Sequence, residues 1–81
     1  NEFTLFPNPS NGEFTMTIQS EKTENLTLEV RDLSGKLVYT DLVTVSGTFR
    51  RDLDFTSFAK GVYFMQLSSG NSTKVEKLII K

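Results

Sequence analysis

Apolar and polar residues alternate along much of this chain with the two-residue period of half-buried β-strands. The alternation is clearest in residues 13–19 and 26–31, where every second side chain is apolar. Polar clusters rich in glycine, serine, asparagine or proline interrupt it at intervals of about 8 to 12 residues. No convincing helical period is present. The pattern predicts an all-β fold, an antiparallel immunoglobulin-like β-sandwich of about seven strands.

The expected strands follow one another in a meander. They are predicted at residues 3–6, 13–19, 26–31, 36–45, 48–54, 61–67 and 75–81. The polar run 20–24 is expected to be an exposed loop, and Ser46 with Gly47 is expected to turn the chain. The charged segment 48–54 suits a sheet edge, where charge discourages pairing with other chains. Residues 55–61 are expected to form a compact crossing loop, with one or two phenylalanines beneath it.

Two connections carry strong turn signals. In the first, residues 7–12, the prolines remove backbone donors and fix φ, while the final Asn-Gly pair tolerates positive φ. Its turn-forming residues are Pro7, Asn8, Pro9, Asn11 and Gly12. In the second, Asp32 and Gly35 have the positions of a type I turn with a glycine bulge, and Lys36 resumes the strand. Both connections are predicted to be rigid links between strands.

The most hydrophobic part of the chain is its last third, which is typical of a β-hairpin around the turn cluster 68–73. Both of its strands carry apolar residues on both faces, as expected near the middle of a sandwich. By alternation, one face of the last strand carries Val75, Lys77, Ile79 and Lys81, and the other carries Lys74, Glu76, Leu78 and Ile80. Either face can be the buried one, and each choice leaves apolar side chains on a surface that a partner could contact.

Composition narrows the function. The chain has 81 residues, which is enough for one domain, residues 1–81, with a single core. It contains neither Cys nor His, so it has no thiolate or imidazole for catalysis or metal binding. The net charge of −1 indicates no surface for nucleic acid, and no apolar run is long enough to cross a bilayer. Because the chain begins without methionine, we expect it to be an excised piece of a longer protein.

Candidate chemistry is sparse. Ser34 and Lys36 come nearest to a nucleophile and a base, but their spacing is that of a hairpin turn, so no enzyme activity is expected. Asp52 and Asp54 lie at strand spacing beside Arg50, which favours a surface ion pair over a calcium site. We therefore predict no metal site and no cofactor.

Four motifs, taken in order, resemble a known family. They are residues 6–12 (FPNPSNG), 30–38 (VRDLSGKLV), 60–64 (KGVYF) and 77–81 (KLIIK). Each motif is weak alone. Together, with this spacing and ending at the last residue, they resemble the type A C-terminal sorting domain of the type IX (Por) secretion system of Bacteroidetes.

The resemblance implies a seven-stranded immunoglobulin-like sandwich at the end of a larger cargo protein. It implies that the domain directs cargo already in the periplasm across the outer membrane, to the cell surface or the extracellular space. It also implies two partners besides the N-terminal cargo domain, an outer-membrane translocon and a sortase-like cysteine peptidase that removes the domain. The domain would be their substrate, with no catalytic role.

The resemblance also divides roles among the residues. Recognition is expected from Lys77, Leu78, Ile79, Ile80 and Lys81. The strand pattern adds Lys74 to this set as part of a basic strip. Architectural roles fall to Gly61, Tyr63, the turn 32–36 and the segment 7–12.

A different interpretation is an adhesive or carbohydrate-binding module. In that case Tyr39, Phe49, Tyr63 and Phe64 would form a face on which sugars stack, instead of belonging to the core. The two interpretations predict different behaviour. A sorting domain exports a reporter fused to it, whereas a carbohydrate-binding module binds glycan saturably and exports nothing. Neither interpretation assigns an oligomeric state.

Overall fold

The computed structural model describes residues 2–81, and all of their regular structure is β-strand. The strands are β1 Glu2–Phe6, β2 Glu13–Asp32, β3 Leu37–Asp54, β4 Gly61–Ser68 and β5 Thr73–Ile80. Neighbouring strands are antiparallel throughout, in the order β1–β2–β4–β5, and β3 pairs with β2. The predicted all-β, antiparallel class is confirmed, and the described residues form five strands where about seven were predicted.

The difference in count comes from β2 and β3, which run through the places where a loop and a turn were predicted. β2 pairs with β1 and β3 along its first half, and with β3 and β4 along its second half. A register shift between Ser20 and Glu24, beginning opposite Gly47, separates the halves. Unpaired residues of this kind bend a strand without ending it. The expected loop at 20–24 and turn at 46–47 are therefore irregularities within continuous strands.

The sheet curls, and the hydrophobic core lies on its inner face. The fully buried side chains include Met16, Ile18, Leu28, Val30, Met65 and Leu78. They occupy alternate positions of their strands, so the two-residue period does mark the core. At one end of the core Phe55 is buried and stacks on Phe58, with a ring-centroid distance of 4.5 Å. The predicted loop with phenylalanines beneath it is confirmed.

β3 lies at an edge of the sheet, since within residues 2–81 its only partner strand is β2. This confirms the edge position predicted for the charged segment of the chain. In place of the ion pair expected with Arg50, Asp52 accepts a hydrogen bond from the Thr15 hydroxyl at 2.7 Å. Arg51 instead forms an ion pair with Asp41, from the other half of β3, and both side chains are partly buried.

The connection between β1 and β2, residues 7–12, meets the far side of the sheet. There Ser10 forms an isolated parallel bridge with Ile80, at the end of β5. Both proline peptide bonds of the connection, Phe6–Pro7 and Asn8–Pro9, are cis. We call residues 7–12 the strap, because they join the β1–β2 side of the curled sheet to β5.

Candidate recognition strand

One face of β5 packs on the core. The strand pairs with β4 along its whole length, with Leu78 opposite Tyr63 and Ile80 opposite Gly61. Leu78 is 0% exposed and Ile80 is 2% exposed. In the folded chain these two side chains anchor the strand and are covered by the core. Lys74 lies on the same face nearer the start of the strand, where it is exposed.

The opposite face of β5 points to solvent. Val75 is 54% exposed, Lys77 and Lys81 are exposed, and Ile79 is half-buried. On β4, Phe64 lies directly opposite Lys77 and is 38% exposed. The structure therefore divides the predicted recognition residues between a buried face and an exposed face that mixes apolar and basic side chains.

The strap covers the outer edge of β5. The side-chain amide of Asn8 donates to the Lys77 carbonyl at 2.7 Å, and its oxygen accepts from the Ile79 amide at 3.0 Å. The Ser10 backbone then donates to the Ile79 carbonyl at 3.0 Å and accepts from the Lys81 amide at 2.8 Å. Asn8 and Ser10 thus supply the hydrogen bonds that a neighbouring strand would supply.

Gly12 fixes the other end of the strap. Its carbonyl accepts from the Phe55 amide at 2.8 Å, and its own amide donates to the Ser10 hydroxyl at 3.0 Å. The Asn11 side-chain oxygen accepts from the Glu13 amide at 3.0 Å, where β2 begins. Gly12 has a φ of +113°, and a Cβ atom there would lie 2.8 Å from the carbonyl carbon of Phe55. Only glycine fits, on grounds of both backbone conformation and space.

The turn 32–36 leads from β2 to β3 and is organised by one carboxylate. Asp32 accepts hydrogen bonds from the Ser34 hydroxyl at 2.6 Å, the Ser34 amide at 2.9 Å and the Lys36 amide at 3.0 Å. Gly35, with a φ of +92°, donates to the Asp32 carbonyl at 3.0 Å. The bond from the Ser34 hydroxyl, followed by that from the Lys36 amide, lowers the pKa of Asp32 below its ordinary value. The predicted turn is confirmed, and Ser34 and Lys36 both serve it.

The aromatic residues are mostly internal. Tyr63 is buried, and its hydroxyl donates to the Ala59 carbonyl in the loop before β4. Tyr39 and Phe49 are partly buried and pack against the core. Of the four aromatic side chains considered for a sugar-stacking face, Phe64 alone is exposed. Four aromatic rings therefore do not form one open surface here.

Within residues 2–81, no group of three or more acidic, histidine or cysteine side chains is placed to hold a metal ion. No helix in this part of the chain has the length and apolar character needed to cross a membrane.

Most of β1 and all of β2 to β5 also match a known protein family. The family model of the secretion system C-terminal sorting domain covers residues 4–81. The chain belongs to this family. As a sorting domain, it is a C-terminal secretion signal of the type IX secretion system, whose cargo is exported to the cell surface or the extracellular space. No curated protein matches this chain.

The sorting domain joins two motifs that are far apart in its sequence. Sequence reasoning places Asn8 in a turn and passes over Ser10, whereas in the structure both residues bond the end of β5. The sequence does carry a usable signal. Asn8 lies between two prolines, and its side-chain amide can donate and accept hydrogen bonds as a peptide group does. The exposure of Val75 stays open at the level of sequence, because alternation alone does not decide which face of β5 is buried, and its proximity to the exposed Phe64 on β4 is not predicted.

Proposed function

We propose that residues 1–81 are the sorting domain of a larger cargo protein, which enters the periplasm first and is then carried across the outer membrane. The observation that supports this is the family match over residues 4–81, which includes both the strap and β5. In this role an outer-membrane translocon binds the domain, and a sortase-like peptidase separates it from the cargo. The domain is a substrate of this machinery and catalyses nothing.

We infer that recognition depends on side chains near the end of the chain that the core does not cover. These are the exposed Lys74, Lys77 and Lys81 and the half-buried Ile79. Leu78 and Ile80 contribute indirectly, because their burial holds β5 in place. The strap, the turn 32–36 and the start of β4 then act as the frame that presents the strand.

The immunoglobulin-like sandwich expected of this family fits the curled sheet if each long strand is counted as two segments. The register shift divides both β2 and β3, and the sheet then has seven segments. The first half of β2 lies with β1 and with the second half of β3. The second half of β2 lies with the first half of β3 and with β4, which in turn pairs with β5. We propose that these two groups correspond to the two layers of such a sandwich.

Fusion of a reporter protein ahead of the chain tests the proposed function. We expect the reporter to reach the cell surface or the medium in a host that has the type IX machinery, and to stay inside a host that lacks it. Deleting residues 78–81 removes the buried anchor of β5 and should leave the reporter in the periplasm. Normal surface display of the truncated fusion would contradict the proposal.

A second variant separates lost recognition from lost folding. Lys77→Ala combined with Lys81→Ala keeps Leu78 and Ile80 in the core and keeps the backbone bonds to the strap. We expect export to fall while the unfolding midpoint of the purified chain stays unchanged. An adhesive module would give the opposite result, with saturable glycan binding and no export of the reporter.

A further inference from the structure

The strap closes the end of β5 to any further strand. A peptide that adds to a sheet edge needs free backbone N–H and C=O groups along that edge. At Ile79 both groups are already bonded, to Asn8 and to Ser10. The Lys77 carbonyl and the Lys81 amide are bonded as well. While the strap is in place, a partner cannot bind these residues through the backbone edge.

A side-chain surface beside this edge remains open. Across β4 and β5 its outward residues pair as Val62 with Ile79, Phe64 with Lys77, and Gln66 with Val75. We call these six residues the outer patch. Val75 and Phe64 are the most exposed apolar side chains within it, and they lie on adjacent strands. A partner that covers the patch can therefore bury apolar surface from both strands at once.

Charge distinguishes the outer patch from a purely apolar surface. On the neighbouring strand β2, Arg31 lies opposite Phe64, and its guanidinium is 3.7 Å from the Glu29 carboxylate. Lys77 is exposed, and no ion pair among residues 2–81 involves it. A surface that buries the patch must supply a negative charge for Lys77, because a buried and unpaired ammonium is costly.

We propose, building on the proposed function, that the export machinery recognises β5 through the outer patch and not by pairing with the edge of the strand. The partner is a protein surface with apolar side chains around a carboxylate that meets Lys77. The strap determines this mode of binding, because it occupies the edge and holds β5 in a fixed position.

A protein fits the outer patch better than a lipid surface does. Electrostatic binding to an anionic membrane typically uses a cluster of about four to eight Lys or Arg side chains. The outer patch offers Lys77, and the neighbouring Arg31 is already paired with Glu29. Phosphate groups alone would also leave the apolar side chains of Phe64 and Val75 without a partner surface.

Export of a reporter fused ahead of the full chain tests the inference. The patch variant combines Val75→Glu with Lys77→Glu and changes only exposed side chains. Its matched control combines Leu42→Glu with Arg50→Glu, which makes the same kinds of change at exposed positions of β3. We expect the patch variant to lower the exported fraction at least about tenfold and the control to stay within about twofold of the unmodified chain. Unfolding midpoints of the purified variants establish that both are folded.

Asn8→Ala distinguishes recognition of the patch from recognition of the edge. It removes both side-chain hydrogen bonds to β5 and frees backbone groups of Lys77 and Ile79. Edge recognition predicts more export per folded molecule, whereas recognition through the patch predicts no gain. A gain for Asn8→Ala, or unchanged export of the patch variant, would overturn the inference.

Two controls separate this inference from the proposed function and from a lipid partner. If the unmodified fusion is not exported by a host with the type IX machinery, the proposed function itself is wrong and the inference fails with it. Sedimentation of the purified chain with phosphatidylglycerol vesicles addresses the lipid. We expect no binding, and vesicle binding that the patch variant abolishes would overturn the assignment of a protein partner.

Discussion

β5 and β3 both lie at an edge of the sheet, and the chain finishes these two edges in different ways. Along the end of β5, the strap bonds outward backbone groups of Lys77, Ile79 and Lys81. Among the described residues, β3 pairs with β2 alone and has no strand on its other side. One edge is sealed by hydrogen bonds, and the other is left to solvent.

The contrast shows two solutions to the same physical problem, since an exposed edge invites pairing with other chains. The end of β5 is apolar on both faces, and the strap seals it. β3 is protected by charge, because Arg51 turns inward to pair with Asp41 and polar side chains alternate on its outer face. Hydrogen bonds to the strap fix the geometry of a strand, whereas charge only discourages an unwanted contact.

The largest expected effect comes from removing the core anchor on the sealed side. Leu78 lies on the inner face of β5 and is fully buried, so Leu78→Ala should reduce the free energy of unfolding by about 2–5 kcal/mol. Leu42 on β3 is 77% exposed, and Leu42→Ala should change the free energy of unfolding by less than about 0.5 kcal/mol. Urea unfolding of both variants measures the difference. Similar losses at the two positions would mean that the two edges do not differ as described.

A somewhat smaller loss is expected where the strap joins the core. Gly12→Ala places a Cβ atom 2.8 Å from backbone atoms of Phe55 and forces a side chain into positive φ, which should cost about 2–4 kcal/mol. Gly35→Ala is the matched control, because φ is also positive there but nothing lies within 4 Å of the new atom. It should cost about 1–2 kcal/mol. Thermal and urea unfolding measure both variants. If Gly12→Ala and Gly35→Ala lose the same free energy of unfolding, the close approach at Gly12 contributes nothing.

The ion pair of β3 should contribute less to the free energy of unfolding than Leu78 or Gly12 does. Arg51 and Asp41 have side chains that are 35% and 38% exposed, so their coupling is expected to be at most about 1 kcal/mol. A double-mutant cycle of Arg51→Gln and Asp41→Asn measures it, and high salt should reduce it further. A coupling that is unaffected by salt would show that the pair is shielded from solvent and that the β3 side is more closed than its exposure indicates.

The smallest expected effect is a response to pH, which should differ between the two edges. Asp32 precedes β3 and Asp54 ends it, and hydrogen bonds, first of all from the Ser34 and Thr56 hydroxyls, lower the pKa of each below its ordinary value. A lowered pKa in the folded state contributes stability above the ordinary value, and this is lost as pH falls through the folded value. NMR titration should therefore find the pKa values of Asp32 and Asp54 below the ordinary value of an aspartate, with the two turns loosening in acid. The strap bonds through an amide that does not titrate, so its bonds should persist over that range.

Much of the fold follows from alternation, because a half-buried strand has to repeat its apolar side chains every second residue. Met16, Ile18 and Leu28 could be placed in the core on this basis, and the turn at Asp32 on its chemistry. The continuity of β2 could not, since residues 20–24 have the polar composition of a loop. The strand continues through them because β3 pairs with β2 both before and after the register shift, at Ser20 and at Glu24.

The candidate recognition strand is predictable as a segment and not as a surface. Its last residues carry the family motif, but both faces are apolar, so local sequence cannot decide that Leu78 is buried and Val75 exposed. That choice follows from the register with β4 and from the position of the core. The hydrogen bond between Asn8 and Ile79 is equally non-local, because the turn residues of the strap do not indicate which residue Asn8 will bond.

The strap has a consequence for the time at which this domain can fold. Asn8 and Ile79 are separated by 71 positions in the chain, and contacts of such long range form late, because closing the intervening loop costs entropy first. During synthesis the first residues of the domain must wait, without their β5 partner, until the last strand has left the ribosome. A domain whose strap is in place has therefore had β5 synthesised, together with everything that precedes β5 in the chain.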